Sequence, residues 1–270
     1  MTARLLKKSL VANRFEIERL AGTGGMGSVY QARDRYSGDF VALKLLHPAG
    51  ASSGEVDRFA REALVLEQLH HPGIVAHVAH GQTPDGQLFL AMQWLEGEDL
   101  AERLRRGPMA ICESLLLVRH VAEALAVAHK HGVIHRDLKP ANLFLPDSRT
   151  ERVTVLDFGI AQQVTRSHAV TRTGMVVGTP QYMAPEQARG ERDLSPAADL
   201  FSLGCVLYEC LCGTPPFVGE HVAAVLMRIL HEEPPWLSDS GSTAPQPLLT
   251  LLGKLLAKDP ARRPESADKL

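Results

Sequence analysis

Val133-Ile134-His135-Arg136-Asp137-Leu138-Lys139-Pro140-Ala141-Asn142-Leu143-Phe144 is the stretch on which the reading of this chain turns. It packs His135, Arg136, Asp137, Lys139 and Asn142 into eight positions, between the apolar runs Leu115 to Ala128 and Val153 to Leu156. The segment opens on apolar Val133-Ile134 and closes on Leu143-Phe144, so its polar groups are expected to line a semi-buried site. Pro140 blocks helix and fixes the local backbone, which holds Asp137, Lys139 and Asn142 in a rigid relation. An acid, a cation and a neutral oxygen donor so spaced suit phosphate and metal chemistry.

Residues 135–142, His-Arg-Asp-Leu-Lys-Pro-Ala-Asn, resemble the catalytic loop of eukaryotic-type protein kinases, and the Lys-Pro-Ala-Asn ending is similar to the Ser/Thr-specific version. That resemblance implies an α+β, two-lobed fold: a small β-rich lobe with one regulatory helix, and a larger, mainly helical lobe. The expected division is an arm over 1–13, a small lobe over 14–94 and a large lobe over 95–270, with Leu270 falling inside a final helix.

Upstream, Arg14 to Ala21 alternates as an edge strand does, with Phe15, Ile17 and Leu20 as its apolar members. Gly22-Thr23-Gly24-Gly25-Met26-Gly27-Ser28-Val29 follows. A dinucleotide turn of this spacing opens a helix, whereas Ser28 to Ala32 and Phe40 to Leu46 read as further strands. A Walker A loop needs a Lys that Gly27-Ser28 lacks. What remains is a glycine-rich hairpin whose backbone N–H groups can approach phosphates.

Val41-Ala42-Leu43-Lys44 resembles the third-strand motif of kinases and puts Lys44 on the α- and β-phosphates of ATP. Glu55 to Leu69 is an amphipathic helix with Val56, Phe59, Ala63 and Leu66 on one face. By resemblance its Glu62 pairs with Lys44, Met92 backs the adenine pocket, and the backbone from Gln93 to Leu95 bonds adenine. Ala21, Gly22, Gly24, Gly27, Val29, Ala42 and Phe144 complete the expected ATP contacts. His70, His71, His77 and His80 crowd into eleven residues; the preferred reading is an ordinary turn and strand, with a metal site as the lesser one.

Ala110 to His131 is a long helix stopped by Gly132, and it delivers the chain into the catalytic loop. Beyond that loop stands Asp157-Phe158-Gly159, whose Asp binds Mg²⁺ in kinases. Residues 160–183 resemble an activation loop, and 178–186 its closing segment, with Thr179 set to bond Asp137 and Lys139. Ser195 and Pro196 read as the cap and first turn of a helix ended by Gly213, in which Asp199 ties to the catalytic-loop backbone. Glu186 is expected to pair with Arg263.

The resemblance thus implies an ATP-dependent Ser/Thr protein kinase. Asp137 is the proton acceptor, Lys139 offsets phosphate charge, and Asn142 with Asp157 hold two Mg²⁺ ions, Mn²⁺ serving as a substitute. Arg136 beside the catalytic acid can pair with a phosphate and order the loop, so Thr171 and Thr173 are expected autophosphorylation sites, ahead of Thr165 and Ser167. Val-Thr-Arg-Thr and Pro-Glu-Gln-Ala-Arg-Gly are most similar to bacterial members. The rivals are a silent ATP-binding pseudokinase, which ordinarily lacks Lys44, Asp137 or Asp157, and a small-molecule phosphotransferase, which lacks the peptide platform of 178–186. Expected partners are proteins with Ser/Thr, and a second copy through the small lobe.

Composition bounds the rest. A net charge of −2 argues against nucleic acid as a partner, so phosphate recognition has to be local. The longest apolar run, Leu200 to Gly213, is too short to span a bilayer and is broken by Glu209, so no membrane contact is expected within this chain. Cys112, Cys205, Cys210 and Cys212 make no disulfide framework and point to a reducing, cytoplasmic setting, with tethering through a segment outside this chain left open. Three of them lie near His221, but in an apolar helix they read as small hydrophobes.

Overall fold

The computed structural model describes residues 8–24, 27–46, 53–158, 180–235 and 244–270, with only the backbone described at 53–55, 57–58 and 61–62. Contacts divide the chain into two compact units. The first takes in the described residues up to His70 together with Val75–Leu95; the second holds His71–Ile74, Glu96–Phe158 and the described residues from Pro180 onward.

In the first unit, β1 (Leu10–Val11), β2 (Phe15–Gly24), β3 (Gly27–Asp34), β4 (Phe40–Leu46), β5 (His77–Gln82) and β6 (Leu88–Gln93) form an antiparallel sheet in the order β1-β2-β3-β4-β6-β5. Helix α1 (Ser53–Glu67) falls between β4 and β5 in the chain. Strand alternation sorts the side chains by face. Phe15, Ile17, Tyr30, Ala32, Val41, Leu43, Leu45, Phe89 and Ala91 form one apolar cluster, while Leu46, Leu88, Leu90 and Met92 pack with Phe59 of α1. The strand beginning at Phe15 is not an edge strand over its whole length. Ala12 and Asn13, at φ of 50° and 56°, turn the chain so that Leu10–Val11 folds back on Phe15 and Glu16.

In the second unit, β7 (Gly97–Asp99), β8 (Leu143–Pro146) and β9 (Thr154–Val155) make a small antiparallel sheet. Helices α2 (Leu100–Leu104), α3 (Ile111–Lys130), α4 (Pro185–Ala188), α5 (Ala197–Cys212), α6 (Val222–His231) and α7 (Gln246–Leu255) supply the rest of its core. Helix α3 is amphipathic, burying Leu117, Val121, Leu125 and Ala128. Helix α5 is apolar almost all round and buried almost all round, as such a helix must be. Both end where a glycine takes left-handed backbone, Gly132 at φ 74° and Gly213 at φ 78°.

One expectation needs correction. Ser195 does not cap α5: Pro196 occupies the N-cap position with helical backbone (φ −50°, ψ −25°), and Ser195 contributes its carbonyl to Ala198 N–H at 3.0 Å. The proline ring sets the helical φ one residue earlier than a side-chain cap would. At the other end Ala267–Lys269 forms a 3₁₀ turn.

Candidate active site

Two strands and a buried carboxylate build the catalytic-loop region. Leu143 pairs with Val155 across β8 and β9, and Leu156 N–H donates to Asn142 C=O at 2.8 Å just beyond that pair. Asn142 and Asp157 are therefore brought together by backbone pairing, fifteen residues apart in sequence. Asp157 sits at φ 49° and Arg136 at φ 65°, conformations that cost a non-glycine residue of order 1–3 kcal/mol unless the surroundings enforce them.

For Arg136 the enforcement is visible. Asp199, fully buried on α5, accepts from His135 N–H at 2.8 Å and Arg136 N–H at 2.9 Å, and His129 Nε2 donates to the same carboxylate at 2.8 Å. Gln187 Nε2 donates to Arg136 C=O at 2.9 Å, while its Oε1 accepts from Ala184 N–H. The expected tie from Asp199 is present. The contributions of His129 and Gln187 are additions that motif reading missed, although His129 stands four residues after Leu125 on the buried face of α3. The Nε of Arg136 is buried without a hydrogen-bond partner among the described residues.

His135 is fully buried, with its ring 4.9 Å from that of Phe158. Its Nε2 lies 2.8 Å from Leu156 C=O, and Asp137 N–H lies 3.3 Å from its Nδ1. A carbonyl only accepts, so Nε2 carries the hydrogen and Nδ1 is the acceptor, which fixes a neutral imidazole bridging the loop and the strand that leads to Asp157.

Asp137 is half-buried and oriented by its neighbours. Lys139 Nζ reaches Asp137 Oδ2 at 2.8 Å; Asn142 Nδ2 reaches the same oxygen at 3.3 Å and Asp137 C=O at 2.8 Å. Among the described residues both side-chain contacts fall on Oδ2, so Oδ1 is the oxygen that can accept from a hydroxyl. Among the described residues both side-chain bonds of Asn142 use its amide nitrogen, which leaves its amide oxygen available. That oxygen with the carboxylate of Asp157 is an oxygen donor set that suits Mg²⁺.

The expected ATP-binding residues of the first unit share a register. Gly22 is opposite Val29, Val29 opposite Lys44, and Ala42 opposite Met92, so Val29, Lys44, Ala42 and Met92 belong to one face of the sheet. Among the described residues a Cβ added at Gly22 or Gly24 would meet nothing within 4 Å, whereas at Gly27 it would stand 2.2 Å from Leu45 C=O. Gly27 is thus required by the sheet, and the open space at Gly22 and Gly24 is what a phosphate approaching the backbone needs. Ala21 is exposed, Met92 is buried, Gln93 is exposed and Leu95 is intermediate, while Phe144 of the second unit stands on β8 opposite Thr154. The side chain of Glu62, and Thr165, Ser167, Thr171, Thr173 and Thr179, lie outside the described residues.

A buried ion pair sits near the loop. Arg263 donates to Glu186 through two bonds of 2.7 and 2.9 Å and also to the carbonyls of Ala197, Ala257 and Lys258, which uses all five of its N–H groups. The expected Glu186–Arg263 pair is therefore present, and removing one partner would cost about 3–5 kcal/mol. Burial pushes the thiol of Cys210 up to about 12 and that of Cys205 higher still, which suits inert, apolar cysteines. His221 caps α6 by accepting from Ala224 N–H at 3.0 Å.

The family model for the protein kinase domain matches residues 15–270. Serine/threonine-protein kinase pkn3 of Myxococcus xanthus is 39% identical over 267 residues, covering 96% of this chain and 49% of that protein. The DNA damage-responsive serine/threonine-protein kinase RqkA of Deinococcus radiodurans is 38% identical over 265 residues, covering 97% of this chain and 39% of that protein. Among solved structures, the kinase domain of Mycobacterium tuberculosis PknI aligns with a TM-score of 0.77 at 31% identity, covering 98% of this chain and 96% of that one. The chain belongs to the protein kinase domain family, with the α+β kinase fold of a β-sheet lobe and a helical lobe. It spans half or less of the length of those two curated relatives.

Proposed function

We propose that this chain is the catalytic domain of an ATP-dependent Ser/Thr protein kinase. The observation that carries the reading is the Asp137–Lys139–Asn142 cluster, fixed on a loop whose strained backbone Asp199 enforces. Bound ATP with Mg²⁺, or Mn²⁺ in its place, supplies the phosphoryl group and much of the charge neutralisation. Asn142 and Asp157 hold two such ions. Gly22, Gly24 and Lys44 hold the phosphates. The first unit's proposed nucleotide contacts are Ala21, Gly27, Val29, Ala42, Met92, Gln93 and Leu95, and the second unit's is Phe144. Asp137 Oδ1 accepts the proton of the substrate hydroxyl; an ordinary carboxylate suffices because proton loss comes late in a loose transition state. Lys139, bonded to Oδ2, orients that carboxylate and offsets phosphate charge.

The same reading assigns regulation. Arg136, whose Nε is buried and unpartnered among the described residues, is suited to receive a phosphate carried by Thr171 or Thr173. Residues 14–94 and 95–270 act as the two lobes, and Leu10–Val11, from the stretch expected as an arm, adds strand β1 to the first. Exposed Leu10, Tyr36 and Phe40 support a homodimer through the first unit. No helix among the described residues is long and apolar enough to cross a membrane.

The test is transfer of labelled phosphate from Mg-ATP to a general protein acceptor, followed by phosphoamino-acid analysis. Label on Ser and Thr, lost on chelating the metal and in Asp157→Asn, is the expected result. Saturable ATP binding with no transfer under any metal would overturn the reading in favour of a scaffold.

A further inference from the structure

His77 and His80 are three residues apart, and on a regular strand an odd spacing sends side chains to opposite faces. Strand β5 is not regular. His77 pairs with Met92 and Ala79 with Ala91, so Val78 is an extra residue in the strand. Such a bulge resets the alternation and brings His80, opposite Leu90, to the face of His77. The two rings then converge: His80 Nδ1 and His77 Nε2 are 3.1 Å apart, with centroids separated by 5.2 Å. Phe59 of α1 meets the His80 ring edge-on at 6.4 Å, and the carboxylate of Glu67, the last residue of α1, acts electrostatically on His77.

A separation of 3.1 Å is the bite of a chelate. Two metal–nitrogen bonds of about 2.05 Å place their nitrogens about 3.3 Å apart at a tetrahedral angle and about 2.9 Å apart at a right angle. We propose that His77 and His80 form a two-nitrogen site for an imidazole-seeking divalent cation such as Zn²⁺ or Cu²⁺, held against the α1 face of the sheet. Among the described residues no group of three or more His, Cys, Asp and Glu is arranged around a metal, so water fills the remaining positions while the charge of Glu67 favours the cation. Burial first, and then the neighbouring His80, keep His77 below the usual histidine range, so its lone pair is available at neutral pH. The hydrogen now in the 3.1 Å bond passes through solvent to the other nitrogen of its own ring. Each neutral imidazole keeps one N–H, and no net proton is released.

The experiment is calorimetric titration of the metal-stripped chain with ZnCl₂ and, separately, CuCl₂ at near-neutral pH. One dominant 1:1 site is expected, weakened by more than about tenfold in His77→Gln and in His80→Gln. It should be unchanged in His70→Gln, which alters an exposed histidine outside the pair. Wild-type affinity in both Gln variants, or only weak binding spread over many sites, would overturn the proposal. If those variants fail to fold, mapping of diethyl pyrocarbonate modification on the wild type decides: the metal must protect His77 and His80 together and leave His70 reactive.

Discussion

Replacing Asp199 by Asn changes one atom and removes a charge, and the structure lets the consequence be counted. The carboxylate accepts from His135 N–H, Arg136 N–H and His129 Nε2–H, two of them on Oδ2 and one on Oδ1. Asn offers one acceptor oxygen and one donor nitrogen. With its oxygen in the place of Oδ2 it keeps two bonds and turns N–H against N–H at Arg136, leaving a donor unpaired at a cost of roughly 1–3 kcal/mol. The two surviving bonds lose their charge assistance, at roughly 1 kcal/mol each. Arg136, held at φ 65°, is then free to relax and returns part of its strain. The net expected loss is about 2–4 kcal/mol, read as a lower urea midpoint with an unchanged slope. The relaxed loop also displaces Asp137, so kcat should fall by about a hundredfold while KM for ATP moves little. A variant within about 1 kcal/mol of wild type and with full kcat would refute the claim that Asp199 enforces the loop.

Two further outcomes follow from local geometry. Gly22→Ala should leave stability within about 0.5 kcal/mol but raise KM for ATP, because its added methyl meets only open space; Gly27→Ala should lower the melting temperature, since its methyl would stand 2.2 Å from Leu45 C=O. Thermal melts and initial rates on both variants check the contrast. Lys258, half-buried with its ammonium 4.0 Å from the centre of the Phe217 ring, is lowered from 10.5 to about 8, mainly by burial. Between about pH 8 and 10 the unfolded chain therefore binds more protons than the folded one, so this residue makes stability rise with pH there. After allowance for the exposed part of the group the gain is on the order of 1 kcal/mol; denaturant titrations at the two ends of that range should show it in the wild type and not in Lys258→Met, so that the difference between the two proteins grows with pH by that amount.

How much was legible in the sequence varies with the physics of each part. Residues 135–142 and Asp157 were legible because phosphoryl transfer needs those groups at nearly fixed spacing. The Glu186–Arg263 and Asp199 ties came with the same resemblance. Helix ends at Gly132 and Gly213 were readable because a left-handed residue there favours glycine. The bulge at Val78 was not, since no proline or glycine marks it and alternation alone puts His77 and His80 on opposite faces. The strand Leu10–Val11 escaped for a different reason: it depends on Ala12 and Asn13 taking positive φ, which is unusual for Ala. Nor does Ser195-Pro196 announce that the proline itself will take the cap position. The neutral tautomer of His135 becomes visible only once Leu156 C=O and Asp137 N–H are placed on its two sides.

The central claim, that Asp137 is the proton acceptor of a Ser/Thr phosphotransferase, is tested most directly by incubating wild type and Asp137→Asn with Mg-ATP and following intact mass with peptide mapping. The account predicts added phosphate on Thr171 or Thr173 in the wild type alone, with Asp137→Asn still binding ATP. Equal phosphate on both proteins would contradict the role of Asp137, and phosphate on neither, with ATP bound, would contradict the activity itself.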